Sequence, residues 1–249
     1  MTKTNIFIRL ALICAGFLAV GVGASFAFAP FIEDTITLMM IIKWVTVVYV
    51  IGLVYWFKVS SEIGLTSKSN WKSLVLYWPI ALIALLSMSG GWNSNEVSLI
   101  IQIALLAIAV AITEEVIFRG FFFHYLRKLT PGLIVLISSL AFGGMHLAGL
   151  FANIPVDVVL AQAYAAAGWG MVVGNAKARY AGLAIPIFAH AVFDFAALGA
   201  RGSVEALLVY DPNITFGMLF AGTIFWGWGI WLLFIGKRRN SFLKLSSES

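Results

Sequence analysis

Charged residues are scarce in this chain: Asp, Glu, Lys and Arg make up 11% of it, hydrophobic residues 61%, and the mean hydropathy is +0.98. Soluble domains carry about a quarter charged residues. A soluble enzyme is therefore excluded, because most helix faces must meet lipid or one another. Cysteine is almost absent. The lone Cys14 rules out an internal disulfide and a thiolate zinc cage, and its apolar surroundings suit a small buried hydrophobe. No basic run is interleaved with stacking aromatics, so the net charge of +5 and the pI near 9.4 imply no nucleic-acid partner. No long-period repeat or low-complexity tract is present either.

What the chain has instead is long hydrophobic stretches. The first, Leu10 to Ala29 behind Lys3 and Arg9, imitates a secretory signal, with Ala27-Phe28-Ala29 resembling a small-residue cleavage site. Pro30 would follow the cut and hinder a peptidase, and about 20 apolar residues suffice for a span, so this stretch is expected to be a retained helix. The next candidates are Ile36 to Phe57, Leu74 to Met88, Val97 to Phe123, Gly132 to Leu150, Val156 to Ala176, Ala181 to Ala200 and Ile214 to Ile235. The sequence thus predicts an all-α polytopic membrane helix bundle of about eight transmembrane helices. Residues 1–249 form a single multi-pass domain, with the polar core at about 97–200. Segments three to seven carry Pro, Gly or charges, the pattern of helices that line an interior.

The cations supply a separate test of that count, since Lys and Arg bias short loops toward the cytoplasm. One side collects Lys3, Arg9, Lys58, Lys68, Lys72, Arg127, Lys128, Lys177, Arg179, Lys237, Arg238, Arg239 and Lys244; the other receives Arg201 with Glu33, Asp34, Glu96, Asp157, Glu205 and Asp211. Both termini are therefore expected in the cytoplasm, and an odd number of spans would scramble the segregation. Lys43 and Arg119 remain inside spans. The Lys58 to Ser73 loop is expected to be an interfacial connector anchored by Trp71. Gly170-x-x-x-Gly174 and Gly217-x-x-x-Ala221 are expected at close helix contacts.

A charge at bilayer depth costs about 2.5 to 3.5 kcal/mol on insertion scales, so each one inside a span is a functional candidate. The fourth span carries Glu114, Glu115 and Arg119, the fifth His146, and the seventh His190 and Asp194. Counting about 1.5 Å per residue from the basic end puts Glu114 at about 20 Å, His146 at about 24 Å and His190 at about 16 Å. Three helices thus bring polar side chains to one layer. Glu115 and Arg119, at i and i+4, are expected to neutralise each other. Glu114 is rotated about 100° away, which leaves it free to face a cavity and exchange protons. His190 and Asp194 share a face at the same spacing. Pro186, one turn before His190, is expected to kink the seventh span. His124 lies near the interface and is expected to be structural.

Glu114-Glu115-Val-Ile-Phe-Arg119, Phe142-Gly-Gly-Met-His146 and His190-Ala-Val-Phe-Asp194 reproduce, in order, three motifs of one family. The chain resembles the CPBP (CAAX protease and bacteriocin-processing, or Abi) intramembrane endopeptidases from Glu114 to Asp194. The resemblance implies that Glu114 and His146 activate water and that His190 and Asp194 stabilise the oxyanion, supported by Glu115, Arg119 and Phe142. It departs from the family at Asp194, where many members have asparagine, and a carboxylate donates a hydrogen bond only when protonated.

The expected substrate is a membrane-embedded or lipid-associated peptide, and the expected location a prokaryotic plasma membrane. No cofactor is favoured, since no H-E-x-x-H motif is present. Zinc held by Glu114, His146, His190 and Asp194 is the mechanistic alternative. A non-proteolytic immunity factor, scaffold or proton-coupled carrier is the alternative of another class. The oligomeric state is left open.

Overall fold

The computed structural model describes residues 3–89, 91–92, 96–152, 154–180, 182–201 and 211–238. Ala181, Glu205, Arg239 and Lys244, all used in the sequence reading, lie outside these residues.

Every long hydrophobic stretch forms a helix, because a helix satisfies its own backbone groups where no water can. The helices are α1 (Lys3–Phe28), α2 (Thr35–Phe57), α3 (Trp78–Met88), α4 (Val97–Glu115), the short α5 (Phe122–Tyr125), α6 (Pro131–His146), α7 (Val156–Tyr180), α8 (Ala184–Arg201) and α9 (Pro212–Arg238). A π-helical turn, Val116–Phe121, joins α4 to α5. Counted as continuous apolar spans, the described residues contain eight that are long enough to cross a membrane. The protein is an integral multi-pass all-α bundle.

Local chemistry sets the helix ends. Asp34 caps α2 by accepting from the Thr37 amide at 2.8 Å, which holds its carboxyl below the usual carboxylate range. Lys58 closes the other end of α2 in the left-handed region, at φ 55°. Pro131 opens α6, where its missing N–H costs nothing.

Lipid is as apolar as leucine, so packing relies on close approach and on polar joints rather than on hydrophobic expulsion. α7 lies between α6 and α9, while α4 is flanked by α2 and α8. A Cβ at Gly170 would stand 2.8 Å from Ser139 Cα, and one at Gly143 would stand 2.5 Å from the Ala163 carbonyl oxygen. These two glycines let α6 and α7 touch through their backbones. Of the second small-residue pair, Gly217 meets nothing within 4 Å, while Ala221 is buried in the core of the bundle. Asn175 on α7 donates to the Met171 carbonyl at 2.7 Å and to the Gly229 carbonyl at 3.0 Å, and Arg179 reaches the Leu232 carbonyl at 2.7 Å. Side-chain donors thus tie α7 to α9.

Two expectations need correction. Pro186 makes no mid-helix kink: α8 begins at Ala184, so the proline falls in the first turn, whose amides have no intrahelical acceptor. The loop after α2 is more than a surface connector. Ile63 is 1% exposed, its carbonyl accepts from Lys177 Nζ at 2.7 Å, and the Gly64 carbonyl accepts from the Leu183 amide at 3.0 Å. That loop plugs the basic end of the bundle beneath the π turn, while Trp71 stays exposed and packs edge-on to Phe188.

Candidate active site

The site is built where the regular geometry of the fourth span gives way. α4 delivers Glu114 and Glu115 in its last turn, and the wider π turn that follows carries Arg119, with all six of its residues buried. A π turn adds a residue per turn and shifts every later side chain around the helix axis; such turns are common at functional sites. Here it leaves the Arg119 guanidinium fully buried, with Nε 3.3 Å from Glu115 Oε2 and the charge 4.5 Å from the centre of the Phe142 ring. The aromatic face supplies the attraction that water would otherwise give.

Glu115 does more than neutralise Arg119. Its other oxygen, Oε1, accepts from His190 Nδ1 at 2.8 Å, so one buried carboxylate joins α4 to α8. An ionised carboxylate only accepts, which assigns the Nδ1 proton to His190 and turns Nε2 toward the remaining acids. Nε2 lies 3.8 Å from Glu114 Oε2 and 3.5 Å from Asp194 Oδ2. Trp169 of α7 packs against the imidazole, with ring centroids 5.1 Å apart. The ring is thereby fixed from three sides.

Of the two adjacent glutamates Glu114 is the accessible one, while Asp194 of α8 is 22% exposed. The Glu114 side chain is 11% exposed against 0% for Glu115, as the 100° rotation between consecutive helix positions requires. Oε1 faces Lys43 Nζ of α2 at 3.7 Å while Oε2 faces His190. His146 ends α6, half-buried, with its ring 5.2 Å from that of Phe142 and within electrostatic reach of Glu114, Lys43 and His190. Phe142 touches both histidine rings and covers Arg119, which makes it the apolar wall of the site.

All seven residues singled out in the three motifs meet in this cluster. His124 does not. At the basic end its Nδ1 meets Arg127 Nη1 at 3.0 Å and lies 3.0 Å from Glu62 Oε2, as its interfacial position suggested. The reading of the sequence missed Lys43 and Trp169. A cation inside the second span was a usable signal for Lys43, whereas nothing distinguished Trp169 among nine tryptophans.

Among the described residues, no group of three or more His, Cys, Asp or Glu is arranged to hold one metal ion. The local chemistry cuts both ways: the Lys43 and Arg119 cations beside the acids oppose a further cation there, whereas the Nδ1 bond to Glu115 leaves His190 Nε2, which faces Glu114 and Asp194, as a nitrogen able to bind one.

An apolar groove of about 500 Å³ runs between α2, α4 and α8, lined by Val47, Ile51, Ile108, Ile112, Ile187 and Ala191 among others. Val47 stands one turn from Lys43, Ile112 one turn from Glu115 and Ala191 one turn from Asp194, so the groove lies on the helix faces that carry the polar cluster.

Residues 96–196 match the Rce1-like family of type II CAAX prenyl endopeptidases. The match covers less than half of the chain but contains all three polar motifs, in agreement with the resemblance those motifs carry. No curated protein and no solved structure matches the chain.

Proposed function

From the Rce1-like region at residues 96–196, which supports a protease of the CAAX type, we propose that this chain is an intramembrane endopeptidase. It hydrolyses a peptide bond in a membrane-embedded or lipid-associated substrate, with Glu114 and His146 activating water. One observation carries this reading: the site contains two adjacent glutamates, and only Glu114 is open to a reactant. A carboxylate that faces the cavity is placed to take a proton from a water bound there. His146, within its electrostatic reach, relays that proton to the departing amine. His190 and Asp194 face the carbonyl under attack, Asp194 as a donor only while protonated. The groove beside the site suits a substrate that arrives laterally from the lipid rather than from water.

Proteomic comparison of cells carrying the wild-type protein and Glu114→Gln tests this reading. A membrane peptide should accumulate uncut in the variant, and identical peptide profiles would end the proposal. The mechanism needs no zinc, so Asp194→Asn should retain cleavage, because an amide still orients and donates while being a poor metal ligand. Less than stoichiometric zinc should be found in active purified protein. Activity that vanishes with chelator and returns with zinc would replace glutamate catalysis by a metal mechanism.

We place both termini in the cytoplasm, in a prokaryotic plasma membrane. In a Cys14→Ser background, cysteines introduced at the exposed Thr66 and Asn213 should react with impermeant reagent from opposite sides. Labelling of both from one side would overturn the eight-span model, and Thr66 labelled from the non-cytoplasmic side would overturn the placement of the termini.

A further inference from the structure

Three carboxylates surround the ring of His190. Glu115 accepts from Nδ1 at 2.8 Å, while Nε2 faces Glu114 at 3.8 Å and Asp194 at 3.5 Å. An oxyanion forming beside Nε2 would develop next to two acids, and repulsion between like charges is strong where water is scarce. A positive group is needed on that side. Arg119 is sealed between Glu115 and Phe142, fully buried, and does not reach the cavity. Lys177 is turned to the Ile63 carbonyl at the basic end. Lys43 differs from both: its Nζ lies 3.7 Å from Glu114 Oε1, its side chain is 23% exposed, and its charge also reaches His146 and Asp194. Phe17 of α1 supports the ammonium from the side, 5.4 Å from the ring centre.

Resting on the glutamate reading above, we propose that Lys43 is a further catalytic residue, whose ammonium stabilises the oxyanion of the tetrahedral intermediate. The movement of charge accounts for its position. Before attack, the negative charge lies on Glu114 beside the ammonium. As the water oxygen bonds to the carbonyl carbon, one O–H bond breaks, its proton passes to Glu114, and the π electrons of the carbonyl move onto its oxygen. Glu114 becomes neutral as that oxygen becomes negative. The ammonium therefore exchanges one anionic partner for another in the same space, and the site's net charge does not change. On collapse the carbonyl re-forms, the C–N bond breaks, and the amine leaves with the proton that Glu114 took up and His146 relays. A lysine on α2 suits this exchange because its ammonium is a compact point charge with three rotatable donors on a flexible stem.

The test uses full-length protein in liposomes with an internally quenched peptide ending in a farnesylated cysteine and three further residues. Removing one oxyanion donor typically costs about 10²- to 10³-fold in kcat, so Lys43→Met should lose that much while KM stays within about threefold. Lys43→Arg should recover a substantial part of the rate. Thermal stability should fall only modestly in Lys43→Met, since Glu114 loses one cation but is partly exposed and keeps His190 at 3.8 Å, and the change leaves no cavity. A kcat within about threefold of wild type in Lys43→Met, with Glu114→Gln inactive, would remove Lys43 from the mechanism and leave the glutamate reading standing. A lost rate that tracks lost folded protein would make Lys43 a structural brace and also overturn the proposal. Full activity in Glu114→Gln, or no peptide cut by the wild type, would overturn the reading on which it rests.

Discussion

Glu114→Gln is expected to reduce peptide cleavage by at least about a thousandfold, toward the upper part of the range that general acid–base catalysis supplies. The amide occupies nearly the same volume and still meets Lys43 and His190, so the bundle should keep its shape while losing its proton acceptor. Single-turnover kinetics on purified protein, with thermal unfolding measured on the same sample, separates the two effects. His146→Ala should also abolish cleavage in a folded protein, because a methyl group relays no proton. It leaves Phe142 with the His190 ring and the Arg119 guanidinium as remaining neighbours. Cleavage retained in Glu114→Gln would mean that another group activates the water.

The largest expected effect on stability belongs to Arg119. Its guanidinium and the Glu115 carboxylate are both fully buried at 3.3 Å, and breaking such a pair by removing one partner costs about 3–5 kcal/mol, since the other charge stays behind without compensation. Arg119→Ala should therefore lower the thermal midpoint and the yield of folded protein sharply. Arg119→Lys should recover only part of that loss, because a point charge cannot lie flat on the Phe142 ring as a planar guanidinium does. The contrast with Glu114→Gln is the informative result, because it would show one glutamate of the cluster to be chemical and the other architectural. A wild-type thermal midpoint in Arg119→Ala would show that the buried pair does not hold α4 in place.

Glu115 connects these two roles. Through Oε2 it holds Arg119 on its own span, and through Oε1 it holds His190 on α8, so destabilisation at Arg119 should also disturb the imidazole that faces Glu114. The hydrogen bond to Glu115 was not legible in the sequence. The i,i+4 spacing pointed to Arg119 alone, and no spacing rule relates residues 75 positions apart.

The sequence by itself determined the solvent, the number of spans and the level of the site. Runs of apolar residues decide helix existence one segment at a time, because in lipid each backbone must satisfy its own hydrogen bonds, and rise per residue then puts Glu114, His146 and His190 in one layer. Which side chains meet across separate helices is a different question, set by helix rotation and by where backbones can approach. Tertiary structure therefore decided that Lys43 of α2 stands 3.7 Å from Glu114 and that the Ile63 loop plugs the basic end of the bundle. It also decided that α8 begins late enough to place Pro186 harmlessly in a first turn and that a π turn aims Arg119 beneath Phe142. These outcomes depend on contacts such as Gly170 on Ser139 and Asn175 on Gly229, in which the two partners are far apart along the chain and neither one's local sequence specifies the other.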